Sequence, residues 1–353
     1  MEAMRAGDIA GVAGLTGAMP GMGLGACPDL PAPVIRPTLK AAVICGAEPI
    51  ENAVGALRRL EAGDPLLEVS FEPAAREIEV RIMGRIQLEV IAEVLNERYG
   101  LRIGFGPCRV IYKETVAAPV MGYGHYEPLR HYAEVHLRLE PNPRGGVTFD
   151  TELHVDRLGR QYQNLIRHFV LQRDHKGVLT GSSVTDIRFV LTNGAIHLKH
   201  TEGGDLREAA WRAARQGLSK AESVLLEPWY AFDIQTTRIY AGKILSDIAR
   251  LHGEFDAPEI TAAGVAHIHG KGPVAEFMDY PTALLSLTGG SGAISMRPLG
   301  YYPCREAEKV IAALNYDKDG DVENTADSVF CSKGAGFLVK WHEAERYMHL
   351  ALT

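Results

Sequence analysis

A strand–helix–strand–strand–helix–strand order occurs twice in this chain, and that order leaves few folds open. From Arg36, "TLKAAVI" alternates as a strand, and "PIENAVGALRRLEAG" is helical, with Pro49 at its start and Ile50, Val54, Leu57 and Leu60 on one face. "PLLEVSF" and "REIEVRIMG" alternate around a turn. "RIQLEVIAEVLNERYG" puts Leu88, Ile91, Leu95 and Tyr99 on one side, with Gly100 after its end, and "LRIGFG" closes the unit. The second copy runs "WYAFDIQT", "YAGKILSDIARLHG" (Tyr240, Ile244, Ile248 and Leu251 on one face), two strands around "HGKG", "DYPTALLSLTGG" capped by Asp279, and "AISMRPL". Six elements in this order make the split ferredoxin-like unit. Residues 38–105 and 229–299 are therefore each expected to form a separate four-stranded antiparallel sheet with two helices on one face. The competing arrangement is one large mixed sheet.

Between the copies lies a different module. "YAEVHLRLEP" and "GVTFDTELHV" read as strands. "RQYQNLIRHFVLQRDHKG" is a helix with Tyr162, Leu165, Phe169 and Val170 inward. "VTDIRFVLTNG" is a strand ending in an Asn-Gly turn, and "LREAAWRAARQG" is a helix closed by Gly217. Three loops, residues 141–146, 157–163 and 197–205, are expected at one end of this module. The divisions are a glycine- and proline-rich 1–35 with one strand in "GDIAGVAGL", a ferredoxin-like 36–112, an α+β arm 113–228, a ferredoxin-like 229–303 and a C-terminal extension 304–353. The whole is an α+β protein.

Composition narrows the chemistry. The formal charge is −7, which argues against general affinity for nucleic acid, DNA included. Residues 119–228 balance at +1 against −8 for the rest, and they hold eight of the 13 histidines. Contact with a polyanion would then be local. No apolar run reaches the ~18 residues of a membrane span, and the N-terminus lacks the pattern of a signal peptide. Five scattered cysteines without a Cys-x-x-Cys read as reduced thiols of a cytoplasmic protein. "GVAHIHGKG" has the wrong spacing for a phosphate-binding P-loop and no hydroxyl after the lysine. "YDKDGDVEN" has calcium-like acidic spacing but no closing Glu, which makes it a solvated turn. There is no Gly-x-Ser-x-Gly elbow. His267 and His269 share one side of a strand and are the residues a metalloenzyme reading would use, although no third ligand accompanies them.

Several strings, in their order, resemble the C-terminal part of elongation factor G and of the tetracycline ribosomal protection proteins. "RPTLKAAV", "GDPLLEV" and "GRIQLEVIAEVLNERYG" resemble the third domain of that family, and "GVLTGSSVTDIRFVLTNG" the approach to the tip of the fourth. "LLEPWYAFDI" and "LLSLTGGSGAISM" resemble the fifth, and "GDIAGVAGL" the closing strand of the second. The resemblance implies a translation factor whose domain-four arm reaches the decoding centre of the small ribosomal subunit. Its partners would be small-subunit rRNA and ribosomal proteins. It also implies GTP and magnesium in a longer parent. The GTPase domain has no counterpart here, so this chain is expected to hold no cofactor and to be no enzyme. The tip residues the resemblance selects are Arg144, Arg160, Gln161, His197, Lys199, His200 and Thr201, whose cationic and hydrogen-bonding groups suit phosphates and exposed bases of folded RNA. "EPNPRGG" and the Thr-bearing "HLKHTEGGD" resemble the drug-protecting branch, whereas "SLTGG" resembles elongation factor G, so a translocation paralogue is the alternative.

Overall fold

A computed structural model describes residues 7–352 apart from 8, 10, 16, 32–34, 74 and 75. The described residues of "GDIAGVAGL" form no strand, and residues 8 and 10 lie outside the described set.

The first unit contains β1 (Leu39–Ile44), α1 (Ile50–Glu61), β2 (Ser70–Glu72), β3 (Glu77–Ile82), α2 (Arg85–Tyr99), β4 (Gly104–Phe105) and β5 (Arg109–Val110). Its sheet order is β2-β3-β1-β4, with β5 also on β1, and every pairing is antiparallel. Leu57, Leu88, Ile91 and Leu95 turn inward as their spacing predicts, and Gly100 closes α2 in the left-handed conformation at φ 65°.

The arm follows with β6 (Lys113–Val116), β7 (Val120–Tyr126), β8 (Ala133–Pro141), β9 (Val147–Thr151), α3 (Arg160–Gln172), β10 (Ile187–Ile196) and α4 (Gly203–Lys220). The third unit comprises β11 (Ser223–Thr237), α5 (Arg238–Arg250), β12 (Glu254–Phe255), β13 (Glu259–Ile260), β14 (Val265–Pro273), α6 (Val274–Phe277), α7 (Tyr280–Thr288) and β15 (Ala293–Pro303). Its order β12-β14-β11-β15 repeats that of the first sheet. Two ferredoxin-like sheets therefore flank the arm, and the single mixed sheet is not formed. They share one continuous hydrophobic core, from Leu39 and Val80 to Phe232 and Phe277. β6 pairs with the start of β11, Val116 opposite Ser223, so the arm enters and leaves through the third sheet.

After Pro303 come α8 (Ala307–Leu314), β16 (Ser328–Ser332) and β17 (Ala335–Val339). The last two join the arm, whose sheet runs β17-β16-β7-β8-β10-β9. β16 meets the end of β7 in a parallel bridge, Val329 opposite Tyr126, and Glu127 N donates to the Val329 carbonyl.

Five local expectations are corrected. Asn193-Gly194 makes no turn: both residues pair within β10, opposite His136 and Val135, just after a bulge at Thr192, and pairing with β8 continues to Ile196 opposite Ala133. Gly217 lies inside α4, where its Cα faces Gly122 of β7, and does not end the helix. Likewise "HGKG" lies within β14, and the reversal falls at Gly264, φ +80°. Asp279 sits at the start of α7 without capping it, and its carboxylate pairs with Arg85 of α2 at 2.8 Å. On α3 the buried face is Gln163, Ile166 and Val170, while Leu165 is at the surface. Gln163 can be buried because its amide donates to the carbonyls of Leu153 and Leu158 and accepts from Thr151 Oγ1.

His175 gives the arm a pH-dependent stability. It is enclosed beside Phe189, and its Nε2–H donates to the Val170 carbonyl at 2.9 Å. Burial pushes its pKa down to about 4, against the smaller opposing effect of that hydrogen bond. The unfolded chain titrates near ~6.5. Below that pH the unfolded state takes up the proton first, so stability is full above pH ~6.5 and falls towards pH 4, by about 3 kcal/mol at the limit. Urea unfolding at pH 7.5 and pH 5 should show the loss in wild type and much less of it in His175→Gln. Equal losses in both proteins would contradict this assignment.

Candidate RNA-contacting tip

The register of the arm sheet decides which loops can meet. Ile187 of β10 lies opposite Pro141 of β8, and Ile196 opposite Ala133. A ten-residue strand is about 30 Å long. Residues 142–146, which follow Pro141, therefore lie at one end of the sheet, and residues 197–202, which follow Ile196, at the other. The expectation of one three-loop end is corrected accordingly. Arg144 belongs to the arm's root, where its guanidinium lies 5.9 Å from the ring centre of Tyr302 on β15.

The loop that does meet residues 197–202 is Glu127–Tyr132, between β7 and β8. Its chain reverses at Arg130, φ 66°. Facing it, His200 N and Thr201 N both donate to the His197 carbonyl, at 3.0 and 2.8 Å. His197 N donates to Thr201 Oγ1 at 2.7 Å. This wound turn stacks the imidazoles of His197 and His200, with centroids 4.3 Å apart and planes at 21°.

Two contacts lock the loops together. Thr201 Oγ1 donates to the Tyr132 carbonyl. Asp205, on the first turn of α4, accepts from Glu202 N at 2.9 Å in a reciprocal capping box and faces His131 Nδ1 at 2.9 Å. Thr201 thus holds the tip together from within.

What remains outward is Leu129, Arg130, His197, Leu198, Lys199 and His200, with Leu198 90% exposed. α3 starts on the same side: a Cβ on Gly194 would touch Leu158, just before Arg160. Arg160 and Gln161 form its exposed first turn, beside the exposed Arg157. Arg130, Arg157, Arg160 and Lys199 make no ion pair among the described residues. This end therefore presents unneutralised cations, two stacked imidazoles and an apolar point on a braced base. Such groups can meet phosphates and unstacked bases. Sequence reading missed Leu129, Arg130 and His131; the available signal was the Pro-bearing gap "EPLRH" between two alternating strands.

The other candidates fall elsewhere. His269 is paired with Asp233, and His267 faces Gln235 across β11. Asp317 and Asp321 of the acidic turn accept hydrogen bonds from Gly320 N, Tyr316 Oη and Asn324 within the turn itself.

The comparisons with known proteins agree with this architecture. Residues 108–222 match the model of elongation factor G, domain IV, and residues 224–311 that of the elongation factor G C-terminus. The fold and these matches define the class: the chain carries the C-terminal domains of an elongation factor G-like protein. Among relatives, elongation factor G 1 of Syntrophomonas wolfei is 29% identical over 272 residues, covering 76% of this chain and 40% of its own length. The tetracycline resistance protein TetP of Clostridium perfringens is 30% identical over 309 residues, 85% of this chain and 47% of TetP. The crystal structure of a Thermus thermophilus protein superposes with a TM-score of 0.65 at 27% identity, over 81% of this chain and 44% of that one. The chain thus spans less than half the length of these relatives. No described helix is long and apolar enough to cross a membrane.

Proposed function

We propose that this chain is the ribosome-binding C-terminal part of a cytoplasmic translation factor, and that its arm docks on small-subunit rRNA at the decoding centre. The observation that carries this reading is the interlocked pair of loops 127–132 and 197–202, which turns Arg130, Lys199 and the stacked His197 and His200 outward. Arg160 and Gln161 flank the contact, Thr201 braces it, and Arg144 takes no part. With a net charge of −7 over the chain, non-specific RNA affinity is weak, so binding depends on the fit of the tip.

Co-sedimentation with small subunits across a salt series tests this. Lys199→Ala should weaken binding and flatten the salt dependence by about one unit of slope or slightly less, the signature of one lost phosphate contact. His197→Ala with His200→Ala should weaken binding with less change in slope, since stacking is not screened. Unchanged binding in all variants would overturn the tip assignment. The resemblance to the drug-protecting branch rests partly on "EPNPRGG", and that stretch lies at the root. The reading advanced is accordingly ribosome binding of the elongation factor G type, with release of bound tetracycline as the result that would favour the other branch. GTP and magnesium would be handled by a part of the parent outside these units. Residues 1–353 are therefore expected to leave the fluorescence of a labelled GTP unchanged, and tight binding would contradict that.

A further inference from the structure

Just below the tip, the hairpin and the C-terminal tail converge on a buried cluster of ligating side chains. β7 and β8 place His125 directly opposite Glu134, and both are wholly buried. His125 Nδ1 is 2.8 Å from Glu134 Oε2, and its Nε2 is 3.2 Å from Glu127 Oε2. His136 Nε2 lies 2.8 Å from Glu134 Oε1. The tail crosses this point twice. Ser328 Oγ accepts from His125 N, and the backbone N–H groups of His349 and Leu350 donate to Glu134 at 2.9 and 3.0 Å. The imidazole of His349 stands over that of His125, with centroids 4.6 Å apart. One ligand atom each from His125, Glu134 and His349 lie within 4.8 Å of one another, the one such group among the described residues.

We propose that His125, Glu134 and His349 bind a divalent transition-metal ion of the zinc class, which clamps the C-terminal tail to the hairpin that carries the tip. The donor chemistry is two imidazoles and one carboxylate, a set suited to zinc and not to calcium or magnesium. Two adjacent ligands each about 2 Å from one tetrahedral ion stand roughly 3.3 Å apart, so the 2.8 Å between His125 Nδ1 and Glu134 Oε2 has to open only slightly to admit it. The ion takes the place of the proton between them, and His349, whose side chain reaches solvent, swings in as the third ligand. A water completes the coordination on the solvent side.

The outer contacts fit this arrangement. With Nδ1 as ligand, His125 keeps its proton on Nε2 and donates it to Glu127, the carboxylate–histidine pairing that orients metal ligands. His136 and the Leu350 N–H hold the far oxygen of Glu134. Glu127 also accepts from Cys331 N, so the same network reaches β16.

Zinc content and zinc titration of the full chain, purified without chelator, test the clamp. Wild type should carry about one equivalent, and His349→Ala should bind at least roughly tenfold more weakly, as expected when a ligand or its support is lost. His349→Ala should still fold, because the contact that seats this part of the tail is made by its backbone N–H. Glu127→Gln, which removes no ligand, should weaken binding by an intermediate factor. Chelator should speed proteolysis of the tail after Ser332 in wild type and leave His349→Ala unaffected. Zinc well below one equivalent, equal affinity in wild type and His349→Ala, or loss on His267→Ala with His269→Ala instead, would each overturn the proposal.

Discussion

Gly124→Val is expected to unfold the arm while leaving the first sheet protected. Gly122 and Gly124 lie on β7 against α4, and the facing residues Ala209, Ala213 and Gly217 are as small. A Cβ on Gly124 would stand 2.0 Å from the Ala209 carbonyl oxygen and 2.4 Å from Ala213 N; on Gly122 it would stand 2.1 Å from the Ala213 oxygen. These are backbone atoms of a helix and cannot rotate away. Valine would force α4 off the sheet and open the packing of Leu206, Ala210 and Leu218 beneath it. Overpacking in a dense core costs about 1–3 kcal/mol where side chains can yield, and a helix backbone is stiffer, so a loss of at least about 3 kcal/mol is expected. Hydrogen exchange should show β7, β8 and α4 losing protection while β1 and β3 retain it. Unfolding within about 0.5 kcal/mol of wild type would mean that the helix does not sit this close.

Glu114→Ala is expected to cost a similar amount at the arm's root. Glu114 is 1% exposed, and its carboxylate accepts from Leu179 N, Thr180 N and Thr180 Oγ1, each at 2.8 Å. A Cβ on Gly177 would fall 2.1 Å from this carboxylate, so the loop 177–183 is wrapped directly onto it. The backbone of Glu114 meanwhile pairs with Leu225 in the third sheet and accepts from Thr185 N. Alanine would strand three donors in a site too closed for full rehydration, at about 1–3 kcal/mol for each group left unmet and about 3 kcal/mol after relaxation. Glu114→Gln keeps one acceptor and should fall between alanine and wild type. Thermal unfolding of the three proteins gives the order, and an alanine variant as stable as wild type would show that the loop is held by other means.

The two ferredoxin-like units were legible because their signals are local. Leu88, Ile91 and Leu95 repeat at the helical period, and the strands alternate beside them, so each segment carries its own assignment. The arm's ends were not, because they depend on register between β8 and β10, segments about fifty residues apart. Arg144 and Lys199 look equivalent in sequence, each a cation in a glycine-rich loop, yet pairing of Ile187 with Pro141 sends them to opposite ends. Asn193-Gly194 has turn chemistry, and strand pairing overrode it. Gly217 resembled a helix stop because its packing partner, Gly122, is distant in sequence. The cluster at Glu134 was unreadable for the same reason: His349 contributes to it from 215 residues away.

Photo-crosslinking distinguishes the two ends of the arm on the ribosome. A benzophenone amino acid would replace Leu198, the exposed apolar point of the tip, and in a second protein Arg144 at the root. Each protein, in excess over small ribosomal subunits at low salt, would be irradiated and the labelled RNA mapped. A defined crosslink from position 198 to small-subunit rRNA is expected, reduced by Lys199→Ala, and none to that site from position 144. A crosslink to that site from position 144 with none from position 198, or no RNA crosslink from position 198 in a bound complex, would contradict the tip assignment.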